Sequence, residues 1–424
     1  MNAPVYDTRK LALWRAEAEA AVVILGSATP DVSTLYRAER GELTRLTLPQ
    51  RVVAHRLRIE TQAERLGVEP EFELVEDETL ERRLPPVTLV DMRAELRDGN
   101  TTIFSTALAD SLAETLANRQ QAILFLNRRG MATYVFCRDC GYVARCPKCD
   151  QPLTYHDSGS MLHCHACGHM TPSPELCPQC GSKRIRYFGA GTQNVEAEVQ
   201  KRFPNARVLR WDSDIAHTPE MGDALLARFI DRQADILVGT ELVTKGLDLP
   251  LVTLVGVVSA DTALNLPDFH AAERGFQVLM QAIARTGRGL LPGQVIVQSH
   301  MPEHPAVASA CAMDVDGFAA YELAQRLALG YPPYRRLARI EFKHSNAARA
   351  RDMAVQAANA LRRRITDLGY TGSDLIGPAP CFHERVNNTF RWQVLVRSPD
   401  PHSLLREVAA AQGWHVELDP VDVL

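Results

Sequence analysis

No run of about 18 apolar residues occurs in the chain, so the sequence offers no membrane-spanning helix. Nor does Met1–Ala21 read as a secretory leader, because charged side chains interrupt the apolar ones. Both absences lead to the expectation of a cytoplasmic protein with no membrane partner. Net charge is small, −4 at neutral pH, so a nucleic-acid surface has to be local rather than a property of the whole chain. The dipeptide Gly-Lys never occurs, so the pattern G-x-x-x-x-G-K-S/T is missing, and with it a P-loop lysine and phosphate cradle. No acidic box of the Walker B kind, the usual Mg²⁺ carboxylate, precedes Gly26. There is no internal repeat.

What remains is an ordinary globular composition, 46% hydrophobic and 23% charged, which excludes a disordered, collagen-like or disulfide-dense secreted chain. At roughly 150 residues per domain, 424 residues allow about three domains.

Of ten cysteines, eight fall within 44 residues, as the C-x-x-C pairs Cys137/Cys140, Cys146/Cys149, Cys164/Cys167 and Cys177/Cys180. A two-residue spacer lets both thiolates of a pair reach one ion. Two pairs complete a tetrahedral shell, so four pairs suffice for two Zn²⁺ ions, although spacing alone does not say which pairs combine. The competing readings are a disulfide cluster, which a reducing compartment disfavours, and a redox site, which needs one C-x-x-C beside a βαβ unit. With eight thiolates at hand, His156, His163, His165 and His169 read as bystanders, and Cys311 and Cys381 as structural residues. Gly141, Pro147, Gly168, Pro172, Pro174, Pro178 and Gly181 suit knuckle turns. Metal should supply much of the folding free energy of so short a segment.

Short apolar runs punctuate the rest. Ala21–Leu25 reads as a buried strand ending at Gly26; Val87–Asp91 and Ala122–Leu126 read as further strands. Ser105 should cap a helix across Thr106–Asn118. Beyond the cysteines come Arg207–Arg210, Asp235–Val238, Leu251–Val258 and Gln294–Ser299, with helical patterns between them. Such alternation predicts a parallel α/β sheet, interrupted by the cysteine segment as an insertion. Glu60–Glu81 holds nine acidic residues and one basic, and reads as a solvated loop or acidic insert. Arg326–Arg364 holds ten basic residues and two acidic, and reads either as a helix surface or as a nucleic-acid patch. Tyr331-Pro332-Pro333-Tyr334 is a rigid element, and a domain boundary is placed near residue 304.

Three stretches carry candidate chemistry. Gly26-Ser27-Ala28-Thr29-Pro30 follows a strand, where small hydroxyl residues can couple loops across a cleft; a plain turn fits equally well. Gly239, Thr240, Thr244, Lys245 and Gly246 follow another strand and could meet phosphates. Gln281, Arg285 and Arg288 form Q-x-x-x-R-x-G-R, in which both arginines could aim at one transferring γ-phosphate; the bland alternative is a pair of surface salt bridges.

Taken in order, these stretches, with Leu124–Gly130 (LFLNRRG) and the four C-x-x-C pairs, resemble the primosomal protein N′ (PriA) family of superfamily 2 replication-restart helicases, over nearly the whole chain. The resemblance implies that Gly26–Pro30, including Ser27 and Thr29, is motif III and that Leu124–Gly130 is motif IV. Ile236–Pro250 with Asp261 would be motif V, and Gln281–Arg288 motif VI. It implies nested zinc sites, one of Cys137, Cys140, Cys177 and Cys180, the other of Cys146, Cys149, Cys164 and Cys167. The implied fold is α/β: a RecA-like helicase second lobe with an inserted two-zinc, eight-cysteine module and an α+β C-terminal domain. The implied domains are a first-lobe remnant (1–50), the second lobe (51–136 and 189–303), the zinc insertion (137–188) and the C-terminal domain (304–424). Val5–Lys10 looks like the segment just after the family's acidic DEEH box, so the ATP-gripping half is expected to be missing from this chain. ATP and Mg²⁺ would then bind only with that half, which could be separately encoded. The implied activity is ATP-dependent 3′-5′ unwinding of single-stranded or forked DNA, with primosome and single-stranded-DNA-binding proteins as partners. Motif V departs from the family at Glu241 and Leu247-Asp248-Leu249, and motif VI at Ala282-Ile283-Ala284 and Thr286. The alternatives are a non-catalytic DNA-binding scaffold that recruits primosome proteins, and a zinc-ribbon protein unrelated to helicases.

Overall fold

The computed structural model describes residues 7–48, 52–55, 60–61, 63–64, 73–75, 79–81, 85–126, 134–149, 151–156, 161–187, 191–212, 215–216, 218–240, 249, 251–284, 286, 291–412 and 414–423. Strands β1 (Val52–His55), β2 (Glu73–Val75) and β3 (Thr79–Glu81) make a small antiparallel sheet in the order β1-β3-β2. Part of the acidic stretch is therefore strand rather than loop.

The centre is a parallel sheet. It comprises β4 (Val87–Asp91), β5 (Gln121–Leu126), β11 (Val208–Trp211), β12 (Ile236–Gly239), β13 (Val252–Ser259) and β14 (Gln294–Ser299), in the order β11-β12-β5-β13-β14-β4. The inner strands are mostly apolar because both faces are covered; the polar Gln121, Thr253, Ser259, Gln294, Gln298 and Ser299 lie at or near strand ends. Along β5, Ile123 and Phe125 enter one core, while Ala122, Leu124 and Leu126 enter the other. The second core is closed by Leu108 and Leu112 of the helix Thr106–Ala117 and by Val195 and Val199 of the helix Thr192–Arg202. Ser105 caps the first of these helices, accepting the Leu108 N–H at 3.2 Å. A Cβ on Gly256 would lie 2.6 Å from Leu108 Cδ1, so β13 needs glycine there for the helix to approach.

The cysteine segment leaves the sheet after β5 and returns before β11. Its base is the antiparallel pair β6 (Val135–Cys137) and β10 (Ile185–Tyr187). Within it β7 (Thr154–His156), β8 (Met161–His163) and β9 (Met170–Pro172) form a three-stranded antiparallel sheet. The C-terminal sheet, in the order β16-β17-β15-β18, is antiparallel: β15 (Arg336–His344), β16 (Asp374–Val386), β17 (Thr389–Ser398) and β18 (His415–Leu418). Its core takes Ala354, Ala357, Ala358 and Leu361 from the helix Ala347–Asp367, and Leu404 and Leu405 from the helix Pro401–Gln412. Residue 304 marks a change of element rather than of core. The helices Pro305–Ala312 and Val315–Leu329 send Val307, Ala310, Phe318 and Leu323 into the parallel-sheet core, where Phe318 stacks on Phe276 at 4.2 Å.

One expected strand is absent. Ala21–Leu25 has no sheet partner, and Val22 and Ile24 are 90% and 88% exposed. β-propensity makes a strand only where a neighbour supplies hydrogen bonds, and the described residues supply none. Among the described residues no helix is long and apolar enough to cross a membrane.

Candidate functional site

The cysteine module is built from one repeated turn. In three of its knuckles the glycine after the second cysteine has positive φ, +78° at Gly141, +74° at Gly168 and +72° at Gly181. Each glycine donates its N–H to the carbonyl of the first cysteine, at 2.9, 2.9 and 2.8 Å. A left-handed residue is needed to close that turn, and glycine adopts it without strain. The knuckles stand on paired strands, so the thiols converge in two tetrads. Cys137, Cys140, Cys177 and Cys180 form one; Cys146, Cys149, Cys164 and Cys167 form the other. The Sγ atoms of each tetrad lie within 4.8 Å of one another. No disulfide links them; the shortest cross-pair contacts are 3.4 Å for Cys149–Cys164 and 3.5 Å for Cys146–Cys167. Four thiols converging on a point, with an all-sulfur donor set, fit tetrahedral Zn²⁺.

Their protonation follows from crowding. The Cys149 thiol, hydrogen-bonded to Cys164, pulls Cys164 down to about 5, helped by the N–H groups of Cys167 and Ala166. Burial and its cysteine neighbours push Cys167 up to about 11. A cation at the centre would replace the remaining protons and hold all four as thiolates. None of the nearby histidines joins a tetrad. His165 is buried against β16 instead: its Nδ1 lies 3.1 Å from the Pro380 carbonyl, and its ring meets Phe382 edge-on at 5.5 Å.

The parallel sheet places Gly239 and Asp261 at the carboxyl ends of β12 and β13. Gly239 is buried at the end of β12, followed by half-buried Thr240. Asp261 follows β13 and is buried; the Ser299 hydroxyl donates to Oδ1 at 2.5 Å and the His300 N–H to Oδ2 at 2.8 Å. Both carboxylate oxygens therefore brace the end of β14. His300 in turn packs edge-on against Phe136 of the zinc module at 5.1 Å. Gln281 lies half-buried in the last turn of the helix Ala271–Ile283. Gly26 is exposed, Thr29 is buried, and the Thr29 N–H donates to the Ser27 hydroxyl at 3.0 Å. Lys245, Gly246, Arg285 and Arg288 lie outside the described residues. A separate groove of about 520 Å³ lies in the C-terminal domain, between Phe342, Lys343, Met353, Gln356 and Trp414.

The basic run Arg326–Arg364 is largely consumed by internal contacts. Arg326 and Arg339 are buried. Arg335 pairs with Asp374 at 3.0 Å, Arg336 with Asp419 at 2.6 Å and Lys343 with Glu341 at 2.8 Å. Arg362 and Arg364 donate to the carbonyls of Gly377 and Leu404, at 2.9 and 3.1 Å. Counting charge along the run missed acceptors that lie far off in sequence. Sequence reasoning also missed Glu273, which joins Arg326 in a buried ion pair at 2.7 Å; a single acid within the run AAERGF gives no local signal.

Family models match three regions: the primosomal protein N C-terminal domain over 327–421, the PriA DNA helicase Cys-rich region domain over 146–172, and the helicase conserved C-terminal domain over 178–289. With the parallel sheet and the two tetrads, these matches make the fold a RecA-like helicase second lobe with a two-zinc insertion and an α+β C-terminal domain. The chain is 41% identical to the replication restart protein PriA of Bacillus subtilis, over 93% of this chain and 45% of the relative. It is 40% identical to that of Synechocystis sp., over 99% and 49%, and 37% identical to that of Treponema pallidum, over 100% and 60%. It thus spans about half the length of the first two relatives. Among solved structures, S. cerevisiae Dbp5 bound to RNA and ADP BeF3 is similar at a TM-score of 0.33 and 13% identity, over 76% of this chain and 60% of that one.

Proposed function

We propose that this chain, which corresponds to the C-terminal portion of the PriA replication restart helicase family, works as the second half of an ATP-dependent DNA helicase and docks on a nucleotide-binding lobe through its N-terminal segment. The observation that carries this reading is the stretch 11–48, along which large apolar side chains are exposed. Trp14 is 65% exposed and Leu48 91%, in the same stretch of sequence as the bare Val22 and Ile24 already described. Apolar side chains left in water in such number point to an interaction surface. Gly26, Ser27 and Thr29 belong to that stretch and would sit at the junction between the lobes.

In this reading ATP and Mg²⁺ bind between the two halves, with the P-loop and metal carboxylate supplied by the other one. Gln281, Arg285 and Arg288 face the γ-phosphate, where guanidinium charge offsets the charge that develops in the transition state. Gly239, Thr240, Lys245 and Gly246 contact the backbone of single-stranded DNA, gripped without base readout. Asp261 holds the end of β14 in place through Ser299 and His300. Forked DNA, 3′-5′ movement, and contacts with primosome and single-stranded-DNA-binding proteins belong to the same proposal, as does a cytoplasmic setting that keeps the thiols reduced.

The test mixes the purified chain with a separately expressed nucleotide-binding half and measures ATP hydrolysis with and without forked DNA. The chain alone should show no turnover. The mixture should show DNA-stimulated turnover that Arg285→Ala and Arg288→Ala each abolish. A stable mixture that binds forked DNA without hydrolysing ATP would favour a scaffold instead.

A further inference from the structure

The helix that carries Gln281 is held at its other end by two buried acids, Asp268, which pairs with Arg274 at 2.7 Å, and Glu273. Glu273 stands in its first turn and is 4% exposed. Oε1 accepts the N–H of Val32 at 2.7 Å, two residues beyond Pro30. Val32 opens the helix Val32–Glu39, whose first-turn N–H groups have no partner within the helix. Oε2 accepts Nη2 of Arg326 at 2.7 Å.

Arg326 is 2% exposed and belongs to the helix Val315–Leu329. Its Nε donates to Glu322 at 2.9 Å and its Nη1 to the Pro332 carbonyl at 3.4 Å. Its guanidinium lies 5.3 Å over the ring of Phe269, and Phe269 stacks on Tyr331 at 4.8 Å with the rings parallel to within 1°. Arg397 of β17 lies 5.4 Å from the Tyr331 ring. A continuous set of contacts thus runs from the C-terminal sheet through Tyr331, Phe269 and Arg326 to Glu273, and on to the segment carrying Gly26–Pro30.

We propose that Glu273 is a positioning residue: held by Arg326, it fixes the helix bearing Gln281 against the Gly26–Pro30 segment, so that the C-terminal domain governs how the two motifs face each other. Replacing a buried ion pair by well-packed apolar residues is often neutral or stabilising, so core stability alone gives little reason to place an acid and an arginine here. A carboxylate does what an apolar side chain cannot: it takes the helix-start N–H of one element and the guanidinium of another at the same time.

The inference rests on the reading above for its catalytic consequence, and the experiment separates the two. In the chain combined with a nucleotide-binding half, Glu273→Gln keeps the shape and the acceptor for Val32 but loses the charge facing Arg326. It should lower kcat roughly tenfold with KM for ATP and DNA affinity little changed. Arg326→Met should do the same, and the double variant should lose no more than either alone. A kcat unchanged at a temperature where both variants are folded, or losses that multiply in the double variant, would overturn the proposal. Should the unsubstituted pair hydrolyse no ATP, the functional reading fails, and amide exchange on the chain alone decides the inference. Glu273→Ala should then deprotect the amides of Val32 and of residues 281–284 together, with both zinc sites retained. Deprotection at Val32 alone would overturn it.

Discussion

The zinc insertion and the parallel-sheet lobe it interrupts are held together by different means. The lobe buries Phe104, Leu108, Leu124 and Leu254 on one face of its sheet and Ile123, Phe125, Phe229 and Val255 on the other. The buried cluster of the insertion is Val135, Ala144, Leu153, Leu162 and Ile185 with Cys137, Cys146, Cys164 and Cys177, so the residues that would ligate zinc are also a large part of what is buried. One unit is stabilised by area removed from water, the other by bonds to an ion. The sharpest way to break the comparison is to take the metal away. A structural four-cysteine zinc site contributes roughly 10–16 kcal/mol of apparent binding free energy, which becomes folding free energy when the unbound segment is disordered. Chelation should therefore expose the amides of residues 134–187 to exchange while those of β5, β12 and β13 stay protected. Loss of both in one cooperative step would mean that the insertion and the lobe are a single folding unit.

The same contrast explains what could be read in advance. β5, β12 and β13 were legible because strands buried on both faces carry near-continuous apolar runs, a pattern that needs no knowledge of neighbours. The cysteine pairs were legible from spacing, but their nesting was not, since it depends on β6 meeting β10 across the whole insertion; only the family resemblance implied it. Ala21–Leu25 misled because its residues favour extended backbone while a strand also needs a partner. The ion pairs of the basic run were not legible because Asp374 and Asp419, which pair with Arg335 and Arg336, lie 39 and 83 residues downstream. Glu273 and Arg326 stand 53 residues apart and are brought together only by helix packing.

A smaller effect sharpens the comparison from the lobe's side. Leu124 is fully buried in β5. Leu124→Ala should cost about 2–5 kcal/mol in a urea titration followed through the lobe. It should leave two zinc ions bound at denaturant concentrations below the shifted midpoint. Zinc release in step with the lobe would show that the insertion depends on the sheet it grows from.

The smallest expected effect probes where the two regions touch. Gly141 and Gly181 close equivalent knuckles of one tetrad, and both have positive φ, where an alanine costs roughly 1–2 kcal/mol. They differ in surroundings: a Cβ on Gly181 meets nothing within 4 Å, whereas one on Gly141 would lie 2.6 Å from the His300 carbonyl oxygen. That carbonyl is backbone, and the N–H of the same residue is held by Asp261, so it has little freedom to retreat. Gly181→Ala should weaken zinc retention by the Cys137, Cys140, Cys177 and Cys180 site, read by competition with a chelator, and leave the lobe's urea midpoint unchanged. Gly141→Ala should weaken the same site further and also lower the lobe's midpoint, because the strain passes through His300 to Asp261 and the end of β14. Equal effects of the two substitutions on the lobe would mean that the insertion is not seated at His300 and that the two regions are joined only through their connecting strands.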